Sequence, residues 1–227
     1  MGKVRTIAEG IYLIGGPDVS RSDDATSFIV DFHTELVMID AGGGGSGRIL
    51  QKNMEDAGLD PGTISTLILT HNHIDHIGSA SYFRAHFGCR ILIHELDAEA
   101  VEQADMVKTA ASCYGATLSP IIVDRKLKGD QEILSFGSEE LHCLHTPGHT
   151  PGSMSIYIDR GNTRILFGQD IHGPFLDIFG SDLNLWKKSM ERLLDLEADI
   201  LCEGHFGIFQ PREKVEGYIR RHLRNYS

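Results

Sequence analysis

His71-Asn72-His73-Ile74-Asp75-His76 places three imidazoles and a carboxylate within six residues. The run follows residues 66–70, a short apolar stretch rich in β-formers, and precedes residues 79–87, which read as a helix. A strand-to-helix turn lets side chains at i, i+2, i+4 and i+5 point into one volume. Imidazole and carboxylate together suit Zn²⁺ and other first-row divalent cations. A lone histidine here would read as a polar helix start, whereas four donors in this order point to metal binding.

Working outward, the N-terminal third reads as strands over 11–14, 26–31 and 36–39, separated by Gly15-Gly16-Pro17-Asp18 and His33-Thr34. Ile49, Leu50, Met54 and Ala57 recur at helical spacing before Gly58, and Pro61 blocks continuation. Beyond the histidine run, the pattern predicts a strand over 90–93, a helix over 95–107 and an irregular connector around 112–120. Strands are then expected over 121–124, 132–134, 140–145, 153–158 and 163–167. The tail reads as a helix over 182–194, a strand over 199–202 and a helix over 212–223. Two blocks, each running from strands to helices, predict one αββα domain over residues 1–227: two mixed sheets face to face with helices outside.

Three further metal-ligand candidates stand where strands end. His149 sits in Thr146-Pro147-Gly148-His149-Thr150-Pro151-Gly152-Ser153, bracketed by residues that fix the backbone and allow close approach. Asp170 follows Ile165-Leu166-Phe167, and His205 follows Ile200-Leu201-Cys202-Glu203-Gly204. Taken singly, each also fits a turn or cap residue.

The H-x-H-x-D-H run with His, Asp and His downstream resembles the metallo-β-lactamase superfamily, over a span from about Ile11 to His205. The resemblance implies that His71, His73 and His149 bind one metal, that Asp75, His76 and His205 bind the other, and that Asp170 bridges them. It also implies an αββα sandwich, and an aspartate at Asp40 supporting the metal-binding loop, where the residue alone also reads as a turn or cap. Ser79 and Gln169 stand where relatives often have glycine, and Glu203-Gly204-His205-Phe206 where Pro-Gly-His-Gly is frequent.

Other features are weaker. Gly42-Gly43-Gly44-Gly45-Ser46-Gly47 satisfies G-x-G-x-x-G, but Thr70-His71 occupies the place of the expected acidic residue, and Arg48-Ile49 excludes a phosphate loop. The glycines read as a flexible loop beside the site. Cys143 and Cys202 read as core. His172, Phe175, Phe179 and Trp186 are candidates for a pocket lining or for core, and Tyr114 lies in the irregular connector.

The balance of 21 basic and 32 acidic residues, net charge -11, argues against a nucleic-acid surface. The four scattered cysteines fit a reducing cytoplasm, and the N-terminus reads as neither signal peptide nor membrane span. The expected partner is a small-molecule substrate, without nucleic acid or membrane, and a homo-oligomer is compatible with the chain.

The chemistry expected is hydrolysis of a small ester or thioester, as in short relatives of glyoxalase II. Two divalent cations, Zn with Fe or Mn as alternatives, would acidify a shared water to a bridging hydroxide. Asp75 is the expected proton acceptor, a role the resemblance implies. A lactonase, or an iron-dependent persulfide dioxygenase of the same fold, is the competing reading.

Overall fold

Leu36-Val37-Met38-Ile39 lacks a polar residue, and all four side chains are buried, as a central strand covered on both faces requires. In the computed structural model, which describes residues 4–226, this strand lies mid-way in the sheet of an N-terminal unit ending at Leu127. A C-terminal unit starts at Lys128.

The sheet of the N-terminal unit runs in sequence order through β1 (Arg5–Ala8), β2 (Ile11–Gly15), β3 (Ser27–Asp31), β4 (Leu36–Ile39), β5 (Ile64–Ile68), β6 (Arg90–His94) and β7 (Arg125–Leu127). Pairing is antiparallel from β1 to β4 and parallel from β4 to β7. Parallel neighbours need crossovers. Helix α1 (Gly47–Asp56) supplies the first, a short α2 (Ile74–Ile77) with α3 (Ala80–Phe87) the second, and α4 (Glu95–Glu102) begins the third. Leu50, Met54 and Phe83 bury the apolar faces of these helices against Ile14, Met38, Leu67 and Ile91, each contributing about 1.5–3 kcal/mol.

In the C-terminal unit the sheet order is β13-β12-β11-β10-β9-β8. Its strands are β8 (Gln131–Phe136), β9 (Glu139–His145), β10 (Met154–Arg160), β11 (Thr163–Gln169), β12 (Ile200–Glu203) and β13 (Gly207–Phe209). Only β11 and β12 pair in parallel, and α5 (Leu183–Asp195) is the crossover between them. Asp182 caps α5, its carboxylate accepting the N–H groups of Asn184 and Leu185. Trp186, Met190 and Leu193 of α5 pack with Leu166, Leu201 and, from α6 (Arg212–Asn225), Val215, Tyr218 and Ile219.

Several expected boundaries move. The helix expected over 95–107 stops at Glu102 because Ala104 takes a positive φ of 52° and Asp105 starts a new turn, accepting from Val107 and Lys108 at 3.0 Å each. Residues 121–124 are not a strand. Asp124 bonds Ile91 through both its backbone N–H and its carboxylate, and the ladder forms only from Arg125 onward. The edge strands β1 and β13 were missed because short, half-exposed edges carry no clear alternation. Among the described residues no helix is long and apolar enough to cross a membrane.

Cys89, Cys143 and Cys202 are buried and Cys113 is exposed. Burial pushes the Cys89 thiol up to about 11, which suppresses its thiolate. A thiol reagent under native conditions is therefore expected to modify only one of the four cysteines, Cys113, before denaturation exposes the others. Peptide mapping after brief labelling checks this, and early labelling of Cys89 would contradict it.

Candidate metal centre

In the N-terminal unit the donor run begins just past β5. Its framework is Asp40, which directly follows β4 with a positive φ of 56°. Asp40 Oδ1 accepts the Thr70 N–H at 2.8 Å, and Oδ2 accepts the Thr70 hydroxyl at 2.7 Å and Nδ1–H of His76 at 2.8 Å. An ionised carboxylate can only accept, so Nδ1 of His76 carries the proton and Nε2 presents its lone pair. With its proton committed to Asp40, the Thr70 oxygen can accept from His71 Nδ1 at 3.2 Å, setting the same tautomer there. Asp40 thus orients both the His76 ring and the loop that holds it.

The loop is strapped from other segments too. Ala41 N–H donates to His76 O at 2.6 Å, Ala25 N–H to Asp75 O at 3.2 Å, Ile74 N–H to Thr109 O at 2.8 Å, and Asn72 N–H to the buried Asp97 carboxylate at 3.2 Å. His71 and His73 bring ring nitrogens within 4.8 Å of one another, and His76 Nε2 lies 3.9 Å from Asp75 Oδ2. Tyr114, 48% exposed, donates its hydroxyl to Asp75 Oδ2 at 3.0 Å.

Asp40→Ala is expected to lower metal affinity by about 10–100-fold, since it releases His76 and the Thr70 hinge together. Competition of metal-loaded protein with a chelator measures it, and wild-type affinity would refute the role of Asp40.

The glycine segment is not the flexible loop expected from its composition. The buried Asp24 carboxylate accepts the Gly43 N–H at 2.8 Å and the Ser46 hydroxyl at 2.6 Å. Ser79 donates its hydroxyl to Gly43 O at 2.6 Å, and a Cβ on Gly78 would meet Gly44 N at 2.3 Å. The glycines are small because the loop packs directly on the backbone that follows His76.

In the C-terminal unit His149 rides a turn in which Gly148 has φ 141° and leaves room for Trp186, whose Cβ would lie 2.3 Å from a side chain there. Its Nδ1–H donates to Pro174 O at 2.9 Å, so Nε2 is again the lone-pair end. Asp170 follows β11, its N–H donating to Gln169 Oε1 at 2.7 Å. Gln169 has φ 46°, a left-handed conformation that glycine adopts more readily than other residues. The two oxygens of Asp170 divide between imidazoles: Oδ2 lies 3.4 Å from His149 Nε2, and Oδ1 lies 3.4 Å from His205 Nε2.

Among the pocket candidates, Trp186 and Phe179 are buried, and Trp186 donates Nε1–H to Ile171 O at 3.0 Å. Phe175 packs against Trp186 and Tyr226 with ring centroids 5.0 and 4.9 Å away. These aromatics support the His149 and Asp170 loops. His172 stays partly exposed, with ring centroids 5.3 Å from His205 and 4.7 Å from Phe206. Phe206, marked in the sequence only as standing where glycine is frequent, is 63% exposed.

The family model of the metallo-β-lactamase superfamily matches residues 22–205. The chain belongs to the metallo-β-lactamase superfamily. It is 30% identical over 167 residues to the probable metallo-hydrolase YqgX of Bacillus subtilis, covering 71% of this chain and 76% of that one. To the hydroxyacylglutathione hydrolase GloC of Haemophilus influenzae it is 33% identical over 128 residues, 56% of this chain and 57% of that one. Among solved structures, a HARLDQ-motif mutant of the metallo-β-lactamase from Cronobacter sakazakii superposes with a TM-score of 0.84 at 17% identity, covering 100% of this chain and 96% of that one. The two mixed sheets with their helices are thus the metallo-β-lactamase fold.

The superfamily uses divalent metals, and the residues present fit them. Two groups of side chains could hold a metal ion, one of His71, His73, His149 and Asp170 and one of Asp75, His76 and His205, all buried except the partly buried His205. In His76 and His149 a fixed acceptor holds the Nδ1 proton, leaving the Nε2 lone pair as the one able to coordinate a cation.

Proposed function

We propose that the chain is a binuclear metal-dependent hydrolase acting on a small ester or thioester. In this reading His71, His73 and His149 hold one divalent cation, Asp75, His76 and His205 hold the other, and Asp170 is shared. The observation that carries it is the Asp170 carboxylate, with one oxygen turned to each of His149 and His205 at 3.4 Å. Those two imidazoles belong to different donor sets, and a carboxylate with one oxygen for each suits a shared ligand. The preference for an ester or thioester draws support from the similarity to a hydroxyacylglutathione hydrolase.

Zinc is the cation assigned, with iron or manganese as alternatives. When bound, such a pair supplies an acidified water at neutral pH and an electrophile for the substrate oxygen. The residues of the chain do the rest. Asp75 is the proton acceptor, and the Tyr114 hydroxyl at 3.0 Å holds its Oδ2 in place. The family match running continuously over residues 22–205 supports a single domain. The largely buried cysteines are compatible with a reducing compartment, the cytoplasm in this reading.

The test is metal quantification on protein purified without added metal, followed by thioester, lactone, β-lactam and phosphodiester substrates. Two equivalents of metal per chain and preferential thioester or ester turnover are expected. Iron with oxygen uptake and no hydrolysis, or turnover of β-lactams alone, would overturn the reading.

A further inference from the structure

Glu203, the last residue of β12, is 0% exposed. A carboxylate taken fully out of water is costly unless hydrogen bonds replace its hydration. Here they do, on both oxygens. Oε2 accepts the backbone N–H groups of His205 at 2.7 Å and Phe206 at 2.8 Å, closing the turn that presents His205. Oε1 accepts Nδ1–H of His172 at 2.9 Å, two residues beyond Asp170.

Helix α6 backs this arrangement. Tyr218, His222 and Tyr226 recur every four residues and share one face. Tyr226 donates its hydroxyl to His172 O at 3.1 Å, and the Tyr218 and His222 rings lie 4.6 Å apart. Burial, and then the neighbouring Glu203 carboxylate, push the Tyr218 phenol up, so it stays protonated beside that charge.

We propose that Glu203 is a positioning residue of the metal centre, holding the His205 turn and, through His172, the loop after Asp170 in one register. A buried carboxylate thus closes the turn by hydrogen bonding. The inference rests on the two-metal reading, and it makes one cation, the one assigned to Asp75, His76 and His205, selectively sensitive to Glu203.

Glu203→Gln keeps the shape of the side chain but sets an amide N–H against donors that need an acceptor. The 227-residue chain, wild type and variant, would be loaded with Co²⁺, followed by absorption spectroscopy and titrated against a chelator. The wild type is expected to bind two equivalents. In the variant one equivalent is retained at wild-type affinity and the other is weakened about tenfold or more, with changed d–d bands for that ion and an unchanged far-UV spectrum.

Two equivalents at wild-type affinity in Glu203→Gln would sink the assignment alone. Equal weakening of both equivalents with a lowered melting temperature would mark a general structural role and overturn it too. A wild-type chain that takes up no second equivalent would instead sink the two-metal reading, and the proposal with it. Should Glu203→Gln not fold, His172→Ala removes the tie to Oε1 and the ring's edge contacts with His205 and Phe206, while leaving both backbone bonds to Oε2 in place. It is expected to weaken the same single equivalent by a smaller factor, and an unchanged affinity there overturns the proposal.

Discussion

Asp170→Asn is expected to lower the metal content from two equivalents to one or fewer and to cut kcat/KM about 10³-fold or more, a barrier increase of about 4 kcal/mol. The residue is 4% exposed and lies between two imidazole Nε2 atoms, each 3.4 Å from one of its oxygens. Two dications side by side repel one another, and a shared anionic carboxylate offsets that repulsion where water cannot screen it. The amide preserves volume and one acceptor but removes the charge, so the fold should survive while the second cation is lost. Metal analysis with far-UV circular dichroism separates these effects. A variant that retains two equivalents and near wild-type turnover would show that Asp170 is not shared between metals.

Asp75→Ala should abolish measurable turnover on the best substrate, a loss of about 10³-fold or more, while leaving the fold intact. Asp75 serves twice in the proposed reading, as a metal ligand and as the proton acceptor. Its backbone carbonyl is what Ala25 bonds, at 3.2 Å, and alanine keeps that bond. The side chain accepts from the Tyr114 hydroxyl, and that tyrosine is half-exposed, so truncation leaves its hydroxyl within reach of water. Steady-state kinetics and a thermal melt on the same preparation make the comparison. Near-normal activity would sink the site assignment, whereas inactivity with a collapsed fold would leave Asp75 a structural residue only.

The run from His71 to His76 was legible because its candidate donors are neighbours in sequence on a strand-to-helix turn. His149, Asp170 and His205 were legible less directly, as polar residues at strand ends that gain meaning from their order and from the family resemblance. Of what holds them, the resemblance marked Asp40 but not its partners, Thr70 at 30 residues and His76 at 36. Tyr114 stands 39 residues from Asp75, in a connector without periodicity, and Glu203 reaches 31 residues back to His172. The glycine run misled for a related reason. Composition reports what a backbone can do, while the packing of Gly44 on Gly78 and the bonds to Asp24 decide what it does.

The sequence by itself determined the candidate donor residues, most of the strand and helix alternation and the superfamily, because these depend on residue type and short spacing. Only the tertiary structure decided which ring nitrogen of each of His76 and His149 is presented, since a tautomer is chosen by the acceptor on the other nitrogen, and those acceptors, Asp40 and Pro174 O, are brought there by the fold. It also decided that Glu203, which the sequence marks merely as a departure from proline, closes the His205 turn: two backbone donors and an imidazole converge on one buried carboxylate, and burial is what makes each of those bonds necessary.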